Sequence, residues 1–109
     1  MKIKDDYNQK IDVKLLITNY FEGDNLAIIL IDSNTDEIYS DLTTNLDYLM
    51  PGYAYVLNDK KYKTFIDEYK LGKCTGIARK SGFNEYLLYE FDLNVLKKYA
   101  VEYSNYICL

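Results

Sequence analysis

The chain has no histidine, no tryptophan, one proline, two cysteines and five glycines among its 109 residues. Without histidine it lacks the side chain best suited to accept a proton near neutral pH, and the commonest nitrogen ligand for metals. Cys74 and Cys108 lie far apart, outside any CxxC pair, with at most one basic neighbour beside each. They are expected to be ordinary half-buried thiols, neither zinc ligands, activated nucleophiles nor a disulfide. The longest apolar run, Leu26 to Ile31, falls far short of the roughly 20 residues that span a bilayer. Met1-Lys2-Ile3-Lys4-Asp5-Asp6 has no apolar core of a signal peptide. A cytoplasmic protein without membrane contact is therefore expected.

What is present belongs to a folded protein: 49% hydrophobic residues, 16% aromatic residues and thirteen tyrosines. Residues 1–109 form a single domain, because either half alone would bury too small a core. The net charge of −4 is unevenly spread. Residues 1–57 hold four lysines against ten acids, and residues 58–109 hold nine basic residues against seven acids. An acidic front half suits a basic partner, including a nucleic-acid-binding protein, and disfavours direct contact with nucleic acid through that surface.

The pattern along the chain predicts an α+β fold in the order β-β-β-β-α-β-β-α, with a mainly antiparallel sheet of about six strands and one or two packed helices. Residues 11–21 read as a strand, 22–25 as a turn, and the apolar run 26–32 as a central strand covered on both faces. Residues 37–44 follow as a strand with Ile38, Ser40, Leu42 and Thr44 on one face. Pro51-Gly52 marks a turn before strand 53–58. Tyr62, Phe65, Ile66 and Tyr69 then have helical spacing, with Asn58 or Asp59 as cap and Gly72 as the stop. Residues 74–80 and 85–91 read as a hairpin, with Gly76 as a strand irregularity and Ser81-Gly82 as the turn. Leu96, Tyr99, Ala100, Tyr103 and Ile107 have the spacing of a last helix, capped by Asp92.

Several short patterns imitate sites. Gly72-Lys73-Cys74-Thr75 resembles the end of a phosphate-binding loop, but Asp67 stands where that loop needs glycine, and a helix precedes where a strand should. Asp32, Asn34 and Asp36 have the first spacings of a calcium loop, but Glu37 replaces the required glycine and Thr43 the closing carboxylate. Adjacent pairs such as Asp67/Glu68 point in different directions. No catalytic residue, cofactor or metal is expected. The tyrosines suit a core edge or an interface, since the ring buries while the hydroxyl reaches water. With Lys73, Arg79 and Lys80 close by, they also permit a nucleic-acid-binding face. The acidic pI of about 4.7 weighs against that reading.

Taken together, Tyr39-Ser40-Asp41-Leu42-Thr43-Thr44-Asn45-Leu46, Ala54-Tyr55-Val56, Phe65-Ile66, Leu71-Gly72 with Thr75-Gly76, and Ser81-Gly82-Phe83 through Phe91 resemble a family of small domains encoded on phages and other bacterial mobile elements. The resemblance covers roughly residues 26 to 93. Leu87, where a proline is common, and the long tyrosine-rich tail depart from the pattern. Some members of that family look like anti-CRISPR proteins, which implies a non-enzymatic inhibitor of a host defence protein, such as a Cas9-type CRISPR effector nuclease. By charge complementarity the acidic meander would meet a basic nucleic-acid channel, and the expected contacts are Asp32, Asp36, Glu37, Asp41 and Asp47, with Tyr39 or Tyr48 as an aromatic anchor. The alternative is a mobile-element accessory module that binds nucleic acid or a replication protein through Lys73, Arg79 and Lys80. These two readings place function on different faces. The strand order also leaves a sheet edge through which a homodimer could form.

Overall fold

The computed structural model describes residues 1–107. Its elements are β1 (Lys2–Lys4), β2 (Lys10–Asn19), β3 (Leu26–Asp32), β4 (Ile38–Asp41), β5 (Tyr53–Leu57), α1 (Lys60–Tyr69), β6 (Gly72–Ser81), β7 (Asn84–Phe91) and α2 (Leu93–Tyr99). This is the expected α+β order, preceded by one short strand that the sequence did not announce. The strands form two antiparallel sheets in place of one, β1-β2-β3-β4 and β5-β7-β6. β5 pairs with β7 along its whole length, and only Thr44 bridges to Tyr55 on its other side. The sheets separate because the 42–52 segment leaves the ladder after one bridge. No helix among the described residues is long and apolar enough to cross a membrane.

Alternation decides the faces. Val13, Leu15 and Ile17 of β2 are buried, each at 1% exposure or less. β3 is covered on both faces, as its continuous apolar run predicts, with Ile28 and Leu30 on one side and Ala27 and Ile31 on the other. The α1 stripe buries Tyr62, Phe65 and Ile66, while Tyr69 lies partly buried against it. Phe65, Tyr69 and Tyr99 form a chain of edge-on rings with centroids 5.2 and 5.8 Å apart. Asp59 and Asp92 cap the two helices by accepting backbone N–H donors of the first turn.

Four expectations need correction. β4 is shorter than the predicted strand, and its register against β3 shifts between Leu30 and Ile31. One extra residue puts Ile38 and Ser40 on opposite faces, so Ile38 is exposed while Leu42 is buried. α1 stops at Lys70, in the left-handed conformation, and not at Gly72. Gly72 opens β6, where a Cβ would stand 2.7 Å from the Glu90 carbonyl oxygen and 3.0 Å from Phe91 Cα. Gly76 does mark an irregularity, a positive-φ residue inside the register shift between Cys74 and Ala78. Cys74 is exposed, not half-buried, and Cys108 lies outside the described residues.

The fourth correction concerns the tail, where the helix ends at Tyr99 and leaves Tyr103 exposed. Beyond it the chain runs along the outer edge of β2. The Val101 and Asn105 N–H groups donate to the carbonyls of Leu15 (2.7 Å) and Ile17 (2.9 Å). The Ile17 N–H donates to Ser104 Oγ at 2.9 Å, and the Ile107 N–H to Asn19 Oδ1 at 3.0 Å. Unpaired strand edges demand backbone partners, and that demand outweighs the helical spacing of the tail's apolar residues.

Two outcomes test this packing. Gly72→Ala should cost about 1–3 kcal/mol in urea unfolding, because backbone atoms of β7 have little freedom to retreat. The Tyr89 phenol is pushed up to about 12 from its ordinary 10.0, first by burial and then by negative charge at Cys74 and Asp67. The folded state therefore holds that proton more tightly than the unfolded chain. The stability this contributes is complete below about pH 10 and is lost as pH rises toward about 12. Tyr89→Phe should lack that alkaline loss, a difference on the order of 2 kcal/mol near pH 12 in denaturant titrations.

Candidate functional site

The acidic residues implied as contacts do not form one face. β3 runs the length of the first sheet, about 20 Å for a seven-residue strand, and separates them into two ends. Asp32, Asp36 and Glu37 lie at its far end in the β3–β4 turn. Asp41 sits part-way along, opposite Ile29. Asp47 and Tyr48 lie at the near end, beside the β2–β3 connection.

At the far end most of the charge is already used. The Asp32 carboxylate accepts the N–H groups of Asn34 (2.8 Å) and Thr35 (3.3 Å), shaping the turn. The Asp36 carboxylate pairs with Lys14, and that hydrogen bond is the main cause that raises the lysine pKa. Asp12 accepts from the N-terminal ammonium at 3.3 Å and faces Lys2 at 3.4 Å, and the ammonium hydrogen bond is the chief cause of its lowered pKa. Lys61 reaches Asp6 at 3.6 Å. Tyr39 is half-buried against the core, and burial raises its phenol pKa, so it is a weaker anchor than Tyr48. An open groove of about 1010 Å³ between β1 and α1 is lined by both lysines and acids, among them Lys4, Lys60, Asp5 and Glu68.

The near end is built differently. The Asn25 side chain, 5% exposed, ties the β2–β3 connection to residues 45–49 at three points. Its Nδ2 donates to Asn45 Oδ1 (3.0 Å) and to the Asp47 carbonyl (2.7 Å), and its Oδ1 accepts the Leu49 N–H (3.0 Å). Asn45 Nδ2 donates to the Glu22 carbonyl at 3.1 Å, and Asn19 Nδ2 to that of Asp24 at 2.6 Å. Tyr20 donates to the Thr43 carbonyl at 2.8 Å, and burial raises its phenol pKa. The Tyr48 ring lies against Gly23, where a Cβ would come within 3.1 Å of it. Two loops are thus fixed to each other. They carry outward not only Asp47 and Tyr48 but also Phe21, Glu22, Asp24 and Met50, which sequence reasoning missed. Phe21 was assigned to a strand over 11–21, but β2 ends at Asn19 and leaves it in the turn. The available signal was a bulky apolar residue directly before Glu22-Gly23-Asp24-Asn25.

The basic residues do not gather into a stripe. Lys73 stands opposite Glu90 and Lys80 opposite Glu85 in the β6–β7 ladder. Arg79 Nε pairs with Asp47 at 2.7 Å, so the acidic and basic faces expected to be separate meet at this contact. Gly72-Lys73-Cys74-Thr75 is extended strand, and Thr75 Oγ1 donates to the Leu88 carbonyl at 2.9 Å. Among the described residues no group of three acidic or thiol side chains is placed to hold a metal.

The fold and this surface define a small α+β domain of two antiparallel sheets, with an acidic, aromatic loop pair at one end. A family model described as a domain of unknown function, DUF4313, matches residues 14–109, and the chain belongs to that family. The match begins inside β2 and takes in both loops and the tail. No curated protein and no solved structure matches the chain.

Asn25→Ala should cost about 2–4 kcal/mol, since it strands the Leu49 N–H and the Asp47 carbonyl in a partly buried site. Thermal unfolding would measure the loss. Amide exchange should rise in residues 20–25 and 45–50 and stay slow in β7.

Proposed function

We propose that this chain is a non-enzymatic, protein-binding inhibitor that offers carboxylates to the basic nucleic-acid channel of a host defence protein. The resemblance to phage-encoded domains with anti-CRISPR-like members makes a guide-loaded CRISPR effector nuclease the first partner to test. One observation carries the reading. Among the described residues thirteen acids, Glu22, Asp24, Glu37 and Asp41 among them, but only nine lysines have no opposite charge within 4.0 Å. Of the strand cations, Arg79 pairs with Asp47, while Lys73 and Lys80 stand across the ladder from Glu90 and Glu85. The charge left for a partner is therefore negative, and negative charge competes with DNA for a cationic groove. The accessory-module reading depends on those three cations and draws less support from this arrangement.

Replacing Glu22, Glu37 and Asp41 together by lysine should weaken binding to the purified effector by about tenfold or more, with Tm nearly unchanged. Wild-type binding should also fall steeply as salt rises. Full inhibition by the reversed protein would remove the acidic surface from the mechanism. Salt-sensitive binding to single-stranded nucleic acid, lost on neutralising Lys73, Arg79 and Lys80, would instead establish the accessory module.

A further inference from the structure

We infer that the near end of the first sheet, residues 20–25 with residues 45–50, is a preorganised docking surface for a protein partner that presents an apolar patch bordered by lysine or arginine. The inference rests on the protein-binding part of the preceding proposal and not on the identity of the target.

Three side chains carry it: Phe21, Tyr48 and Met50 are 101%, 89% and 74% exposed. One exposed apolar residue on a loop is ordinary, whereas several on one surface mark a place that another molecule covers. Aromatic residues and methionine are the types enriched in the centres of protein interfaces, and one buried aromatic ring contributes far more contact than a rim charge. These loops pack no core side chain that would account for such residues.

The second argument is rigidity. A flexible loop must be ordered on binding, and that entropy opposes association. Here the ordering is built in. The Asn25 side chain fixes the 45–50 segment through Asn45, Asp47 and Leu49, and Asn45 and Asn19 hold the 20–25 turn by the carbonyls of Glu22 and Asp24. The left-handed conformations of Asp24 and Asp47 and the contact of Tyr48 with Gly23 complete the frame. This is extensive hydrogen bonding for a pair of surface loops that contributes little to the core.

Charge selects the partner. Glu22 and Asp24 follow Phe21 in the same turn and have no cation within 4.0 Å among the described residues, and Asp47 has one, Arg79. An acidic rim around apolar anchors repels a second copy of itself and attracts a cationic rim around an apolar patch, which gives fast, salt-sensitive encounter. At the far end Asp6, Asp12 and Asp36 already have lysine or ammonium partners.

The test uses the full chain and a synthetic helical peptide with lysine on one face and leucine on the other. Amide shifts are followed by two-dimensional NMR at about 50 and about 300 mM salt. A second peptide with leucine replaced by serine keeps the charge. Saturable shifts confined to residues 20–25, 45–50 and their supports are expected, with the serine peptide at least about tenfold weaker. Phe21→Ser with Met50→Gln, both solvent-facing and so harmless to folding, should raise Kd by about tenfold. Glu22→Gln with Asp24→Asn should remove most of the salt dependence, and Asp67→Asn with Glu68→Gln, exposed on α1, should change Kd by less than about twofold. Shifts centred on residues 32–41, equal binding of both peptides, no saturable binding, or an unchanged Kd in the Phe21/Met50 variant would each overturn the inference. Peptide binding at these loops with no binding to the effector would reject the defence target and leave the surface standing.

Discussion

The outer edge of β2 is the constraint on which the rest of this fold depends. β2 pairs fully with β3 on one side, and on the other it must find partners for a long row of backbone groups. β1 and the Met1 carbonyl before it serve Lys10 to Val13. The segment after α2 serves the remainder, from Leu15 to Asn19. Two distant parts of the chain thus close one strand. With that edge closed, the alternation of Val13, Leu15 and Ile17 points inward and both faces of β3 can be covered.

The same closure places the candidate surface. Asn19 ends β2 and bonds on one side to Ile107 and on the other to Asp24, so the β2–β3 turn is held between the tail and the 45–50 loop. Asp47 in turn reaches across to Arg79 of the second sheet. The loop pair is therefore tied to both sheets, although among the described residues only the Thr44–Tyr55 bridge joins their ladders.

Much of the fold was legible in the sequence where one local period decides the outcome. The α1 stripe, the doubly covered β3, the caps Asp59 and Asp92, and the turn at Ser81-Gly82 all follow from spacing within a dozen residues. What could not be read depends on partners distant in sequence. The tail imitates a helix in its side-chain spacing, and the needs of β2, some ninety residues earlier, draw it out of the helix. A single inserted residue in β4 reversed the face of Ile38, which no periodicity records. Of the surface, Asp47 and Tyr48 were legible as an acid beside an aromatic residue, but nothing local reveals that Asp47 meets Arg79, or that Phe21 lies beyond the end of its strand. The residues grouped as one acidic face were grouped by nearness in sequence, and β3 itself carries them apart.

The strap along β2 also dictates an order of events during synthesis. Strands β2 and β3 are among the first made, yet Leu15 and Ile17 receive their edge partners only when residues 101 to 105 have cleared the ribosome. The second sheet has a compact hairpin, and its ladders are complete once Phe91 is made. The half of the molecule translated first is thus the half completed last, and until then a nascent chain carries an open apolar-backed edge that a folding chaperone could shelter.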